Sequence, residues 1–314
     1  MSEMQPRRLG AGTGTPALLG QMLLCSFLWA PAFLLMKRIG VDISPLALTA
    51  LRDVLGGGLM AVWFLGLGER ILPQGREWRD WTILGIFQVI IPNTLTVYAL
   101  SEITTSLASL IQSSTPLIVA VIAPFLFASE RMTTRRGVGI LLGLSGFLLL
   151  LGGLDLFQSS TGSFPGTLAM AGAPLSYALG NIYVRIVPDA VPSRLAYGQL
   201  VFSGVPCLAV VLVLAGPSAF AAAPDHVSDI VILSLMATAV PLIMFMRILR
   251  IAGPTVGTMV GYLVPLWTIL IGVALFGEAL SPREIAGALL LLAGLVIASA
   301  ARPQVAAETA DVRY

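Results

Sequence analysis

Arg52 and Asp53 are adjacent charges about seven residues into an apolar stretch that opens at Pro45. An arginine at that depth is costly unless it is paired or reaches an interface. Its planar fork can take a substrate carboxylate through two parallel hydrogen bonds, or it can serve structure by bonding loop carbonyls. Uncharged polar side chains recur in equally apolar surroundings. Ser109, Gln112, Ser113 and Pro116 fall at helical spacing and share one face, as do Thr258, Gly261, Tyr262 and Pro265. Trp29 with Phe33, and Pro174 and Tyr177 with Asn181, mark two aromatic faces, and Asn93 stands beside Pro92. Aromatic faces with hydroxyl or amide tips suit a ligand that is part apolar and part polar. The same groups can also tie transmembrane helices together. The candidate substrate pathway is therefore Trp29, Phe33, Arg52, Asn93, Ser109, Gln112, Ser113, Pro116, Tyr177, Asn181, Thr258, Tyr262 and Pro265.

What is missing excludes other chemistries. There is no G-x-x-x-x-G-K-[ST] loop, and the one lysine is Lys37, so the chain has no nucleotide-driven engine. The lone histidine, His226, falls in an expected loop, and Cys25 and Cys207 lie in apolar runs; neither a metal site nor any other cofactor is expected. No nucleophile is paired with a base, so no enzyme is expected. A net charge of +2 gives no footing for nucleic acid. Glu130 and Glu278 read as structural acids paired with Arg135 or Arg283 or with helix ends.

The elements that must position these residues follow from composition. Of 314 residues, 57% are hydrophobic and 11% charged, against about 25% charged in soluble domains; the mean hydropathy is +0.92. The bilayer is thus an obligatory partner. Apolar windows fall near 17–36, 45–67, 81–100, 104–127, 137–154, 166–184, 193–215, 228–249, 255–276 and 284–301, which predicts an all-α integral membrane fold of ten transmembrane helices. The run from Ala17 to Met36 is long enough to span and reads as the first helix rather than a cleaved leader. With the N-terminus inside, fourteen of the 18 basic residues fall on the inner side, leaving Lys37, Arg38, Arg52 and Arg283 outside. That asymmetry predicts cytoplasmic termini in a plasma (inner) membrane.

The stretches PLIVAVIAPFLFASE (from Pro116) and PLWTILIGVALFGE (from Pro265) lie 149 residues apart. The same shift carries Pro92 onto Pro241, Leu100 onto Leu249 and Ser109 onto Thr258; nearly the same shift sets Trp29 opposite Tyr177 and Pro45 opposite Pro192. Two related five-helix halves, 17–154 and 165–301, are expected between the tails 1–16 and 302–314. Five is odd, so the second half should enter the membrane from the opposite side. Inverted repeats build alternating-access carriers whose sites lie where irregular helices of both halves meet. Each matched proline should free a backbone carbonyl that protein or cavity water must satisfy.

At these residues the chain resembles the EamA-type ten-helix transporters of the drug/metabolite transporter superfamily. The resemblance covers about residues 17 to 301. It rests on Trp29, Pro31 and Phe33 with Lys37 following, on Pro45 with Arg52, and on Pro116 through Glu130. In the second half it rests on Tyr177 to Arg185, Pro192 with Gln199, and Pro265 through Glu278. Trp29-Ala30 stands where the family usually has Trp-Gly, and Ser129-Glu130 where it has Gly-Glu. Together with the paired prolines and the neutral polar-aromatic faces, this implies a secondary transporter, an exporter of amino acids or similar zwitterionic or amphipathic metabolites. Export as the direction is implied by the resemblance alone. The alternatives are a sugar-phosphate or nucleotide-sugar exchanger, which would need Arg247 or Arg250 in the cavity, and a non-transporting membrane scaffold or lipid-modifying enzyme. The Gly139-x-x-x-Gly143 spacing permits close helix approach, within the chain or in a homodimer.

Overall fold

The computed structural model describes residues 15–103, 111–112, 114–127, 132–151, 163–188, 190–264, 266–267, 270 and 282–299, and among these there is no strand. The first half contains α1 (Thr15–Ile39), α2 (Pro45–Gly66), α3 (Glu77–Gly85), a π-helical turn (Ile86–Ile90), α4 (Ile91–Glu102), α5 (Thr115–Leu126) and α6 (Thr134–Leu151). The second contains α7 (Phe164–Ile186), α8 (Pro192–Leu214), α9 (Val227–Ser234), a second π-helical turn (Leu235–Ala239), α10 (Val240–Gly257) and α11 (Pro282–Ser299). Three stretches are long and apolar enough to cross a membrane by length and composition, Pro45–Gly66, Pro192–Leu214 and Pro217–Gly257. Pro16–Ala32, Thr115–Leu126 and Ile285–Ala298 are apolar but shorter. The expected windows near 104–127 and 255–276 lie only partly within the described residues.

Proline positions explain much of the segmentation. Pro45, Pro116, Pro165 and Pro192 sit in the first turn of α2, α5, α7 and α8, where the missing N–H has no intrahelical partner to lose. Pro92 and Pro241 instead follow the two π turns directly. A proline ring inside a helix collides with the carbonyl four residues back, here Gln88 and Ala237. Widening the preceding turn to i→i+5 hydrogen bonds relieves that collision, and Ile91 and Val240 donate to Ile86 and Leu235 in that pattern. Gly253 takes φ +82°, a conformation that suits glycine, and Pro254 follows it, so α10 breaks there.

The halves pack crosswise. α1 lies against α9, the second π turn and α10, whereas α7 lies against α3, the first π turn and α4; α2 and α8 pack on each other. α6 and α11 form a separate pair whose approach needs glycine. A Cβ on Gly139 would lie 2.6 Å from the Ala298 nitrogen and 2.7 Å from the Gly294 carbonyl, and Gly146 meets Leu291 and Gly287 as closely. The glycine stripe is thus taken up by a contact within one chain. Outward, Phe125, Val213 and Leu214 remain exposed, as hydrocarbon solvent permits.

Candidate functional site

A charged and polar cluster sits where α2 packs on α8. Asp53 is fully buried; its Oδ1 accepts from Arg52 Nε at 3.1 Å and its Oδ2 from Ser203 Oγ on α8 at 2.9 Å. Arg52 keeps 20% of its side chain exposed and rests Nη1 3.8 Å from Met36 Sδ on α1. α8 is pressed onto α2 here, because a Cβ on Gly204 would lie 2.8 Å from the Val54 nitrogen. On α7 the Tyr177 hydroxyl donates to Asn93 Oδ1 on α4 at 3.4 Å. Two candidates from the sequence, Asn93 and Tyr177, are thereby drawn together across the halves of the chain.

A second polar group forms beside the first π turn. Gln88 Nε2 donates to Asn181 Oδ1 at 3.1 Å, both side chains being buried. The wider turn places Gln88 so close to α7 that a Cβ on Gly180 would lie 3.2 Å from its amide carbon. The carbonyl of Phe87, which a residue with an N–H at position 92 would have met in the i→i+5 pattern, accepts from Ser176 Oγ at 2.8 Å. Gln88, Ser176 and Ser203 were not legible as site residues. The available signal was the spacing of Gln88 four residues before Pro92.

The other candidates are placed differently. Trp29 packs at a 60° tilt against Phe245 of α10 with ring centroids 5.1 Å apart. Gln112 accepts at its carbonyl from Thr115 Oγ1 at 2.9 Å, the carbonyl that Pro116 cannot reach in the i→i−4 pattern; the carbonyl freed by Pro116 is therefore satisfied locally. Thr258 turns its hydroxyl onto the Pro254 carbonyl at 2.9 Å. Tyr262 is buried against Gly143 and Phe147 of α6, its ring centroid 5.5 Å from that of Phe147. Ser109, Ser113 and Pro265, the side chain of Phe33, and Glu130 and Glu278 lie outside the described residues.

Ion pairs gather at the helix ends. At one end Arg194 of α8 forks onto Glu77 of α3, Nε to Oε1 at 2.7 Å and Nη2 to Oε2 at 2.9 Å, with its guanidinium 4.9 Å from the Trp81 ring centre. Partial burial alone would raise the Glu77 carboxyl; hydrogen bonds from Arg194, Arg70 and the Gln74 N–H outweigh it and pull the carboxyl down to about 2. Beside it Asp80 accepts from Tyr183 of α7 at 2.6 Å. Arg250 donates to the Val184 and Val187 carbonyls, and Arg185 to that of Arg250. At the opposite end Arg38 of α1 pairs with Asp229 of α9 at 3.2 Å, and His226 Nε2 lies 2.9 Å from Asp42. Among the described residues no three His, Cys, Asp or Glu side chains gather into a metal-binding group.

The EamA-like transporter family model matches the chain twice in succession, over residues 17–152 and 164–300. The chain belongs to the EamA-like transporter family. It is therefore an integral membrane protein of the drug/metabolite transporter superfamily. The inner membrane transporter YedA of Escherichia coli K12 is 24% identical over 270 residues, 85% of each chain. A protein of Salmonella typhimurium named as a probable amino-acid metabolite efflux pump is 28% identical over 205 residues, 61% of this chain and 66% of that one. A solved crystal structure superposes with a TM-score of 0.73 at 22% identity, over 90% of this chain and 96% of the other, which bears on fold alone. The EamA family and the names of these relatives indicate transport rather than enzymatic chemistry.

Proposed function

We propose that this EamA-family chain is a secondary transporter that releases amino acids or similar zwitterionic and amphipathic metabolites across the inner membrane by alternating access. Two inverted five-helix repeats, 17–154 and 165–301, would supply the moving parts, with both termini cytoplasmic. The observation that carries this reading is a set of polar contacts made across the two halves inside apolar helices, Arg52 and Ser203 on the buried Asp53 and Tyr177 on Asn93. Ionisable side chains within transmembrane segments commonly mark substrate or ion pathways. A zwitterion fits its chemistry, since Arg52 can face a carboxylate while Tyr177, Asn93, Gln88 and Asn181 offer neutral acceptors and donors to an ammonium or hydroxyl. Trp29 and Phe245 add an apolar wall. The π turns 149 residues apart and the crosswise packing support the repeat, and the Salmonella relative's name supports the substrate class and direction.

A phosphate-bearing substrate has less support, because Arg250 is engaged with α7 carbonyls and Arg247 is exposed. The test is metabolite profiling of cells expressing the parent chain, an Arg52→Gln/Tyr177→Phe variant at equal membrane abundance, or neither. Selective release of one amino-acid class by the parent alone supports the reading. Equal release by parent and variant moves the site elsewhere, and parity of all three with empty cells removes the exporter reading.

A further inference from the structure

We infer that Arg52 exchanges Asp53 for the carboxylate of the substrate, and that Asp53 takes up one proton when it does, so that substrate and proton move together. This rests on reading the chain as a carrier of carboxylate-bearing metabolites.

The two partners differ in freedom. Asp53 is buried at the α2–α8 contact, held by Ser203 and crowded by the Gly204 backbone. It cannot swing out to water while that contact stands. Arg52 is partly exposed, carries a longer side chain, and uses only Nε on Asp53. Among the described residues its Nη1 meets the Met36 sulfur, a weak acceptor. The guanidinium edge that grips a carboxylate bidentately is therefore not engaged by an acid among the described residues.

Among the described residues Asp53 has one counter-ion, Arg52. From α8 Ser203 holds it, with Cys207 one turn further along that helix, and from α1 Met36 lies against Arg52. On the remaining side the Ser234 carbonyl approaches Gly56 one turn along α2. All are neutral. A buried carboxylate deprived of its only cation neutralises rather than stays ionised without a partner. The balance is simple: Asp53 COO⁻ and one proton from water on the open side give Asp53 COOH, and the Arg52 ion pair passes from Asp53 to the substrate carboxylate. No electrons move.

The sign has a consequence for physiology. Substrate binding promotes proton binding, so the two are co-transported and release of substrate carries a proton outward. Export then proceeds only while the internal substrate gradient exceeds the opposing proton-motive force, which makes the carrier an overflow valve.

Two measurements test this. Infrared difference spectra of the protein in lipid at neutral pH should show a protonated-carboxyl stretch in Arg52→Gln that is absent from the parent and from Arg52→Gln/Asp53→Asn. An ionised Asp53 in Arg52→Gln overturns the exchange, and this holds without any known substrate. In proteoliposomes with L-phenylalanine as probe and phenethylamine as the carboxylate-free control, flux of phenylalanine should bring protons with it. Its apparent affinity should rise about tenfold per unit fall in pH while Asp53 is ionised in the free carrier, and Asp53→Asn should lose that slope. Phenylalanine flux without protons overturns the coupling and leaves transport standing. Preference for phenethylamine overturns Arg52 as the carboxylate site. Flux of neither probe removes the functional reading and this inference with it.

Discussion

Ser203 holds one oxygen of a carboxylate that solvent does not reach, and its replacement is the simplest probe of how that charge is kept. Ser203→Ala leaves the Asp53 Oδ2 lone pairs unsatisfied in a buried site and should lower stability by about 1–3 kcal/mol, read as a lower unfolding temperature in detergent. A loss below about 0.5 kcal/mol would mean that water reaches the site. Glu77 makes a second prediction. Its folded carboxyl lies near 2, below its ordinary 4.5. A depressed acid stabilises the fold fully above its unfolded value and loses that contribution as pH falls through the folded value. The parent should therefore lose stability between pH 4.5 and about 2 more steeply than Glu77→Gln, and coincident acid limbs would show that the Arg194 fork adds nothing. Arg52, Tyr177 and Asn93 were legible in the sequence because polar groups in apolar runs are conspicuous. Ser203 was not, since a serine in a membrane helix has many uses and only its neighbour reveals which.

At the scale of the helix, the prolines recur in sequence but act in two ways that sequence alone does not separate. Pro116 starts a helix and Thr115 satisfies the carbonyl it frees. Pro92 widens a turn and frees Phe87 for Ser176 on another helix. If that account is right, Pro92→Ala restores an N–H, narrows the turn, and makes Ser176 dispensable. A double-mutant cycle should find Ser176→Ala costing about 1–2 kcal/mol in the parent and little in the Pro92→Ala background; additive losses would refute it. Gly139→Val tests the α6–α11 pair. With its Cβ 2.6 Å from a backbone nitrogen, the helices must part, and a loss of about 3 kcal/mol is expected, whereas the surface change Gly137→Val should cost far less. The glycine spacing was readable; which helix it met was not.

For the whole molecule, the two clusters of ion pairs lie at opposite ends of the packed helices, Arg194 with Glu77 at one and Arg38 with Asp229 at the other. In the proposed transport cycle each must part in turn. A short bifunctional thiol reagent applied to Glu77→Cys/Arg194→Cys should stop net release of metabolite, and reductant should restore it; release that persists after full cross-linking would show that this end need not open. Orientation is testable with the same chemistry, because both native cysteines are buried. Val41→Cys, at an 82% exposed position, should react with an impermeant maleimide on intact cells, whereas Leu72→Cys, at a 70% exposed position, should react only after permeabilisation. The reverse pattern would invert the proposed topology.

The sequence by itself determined the solvent and the family: 57% hydrophobic residues in long runs admit only a bilayer protein, and the order of Trp29, Pro45, Pro116 and their later counterparts matches the EamA pattern over both halves. It could do so because helices form from local spacing and membrane burial acts on every residue of a span alike. Tertiary structure decided which polar residues meet. Tyr177 joins Asn93, Asp53 finds Ser203, Gln88 finds Asn181, and Tyr262 packs on Phe147 of α6. Those partners lie tens to hundreds of residues apart, and their meeting depends on helix rotation and the width of a single turn. Rotation and turn width are fixed by the close packing of neighbouring helices, which the hydrophobic pattern of one helix does not encode.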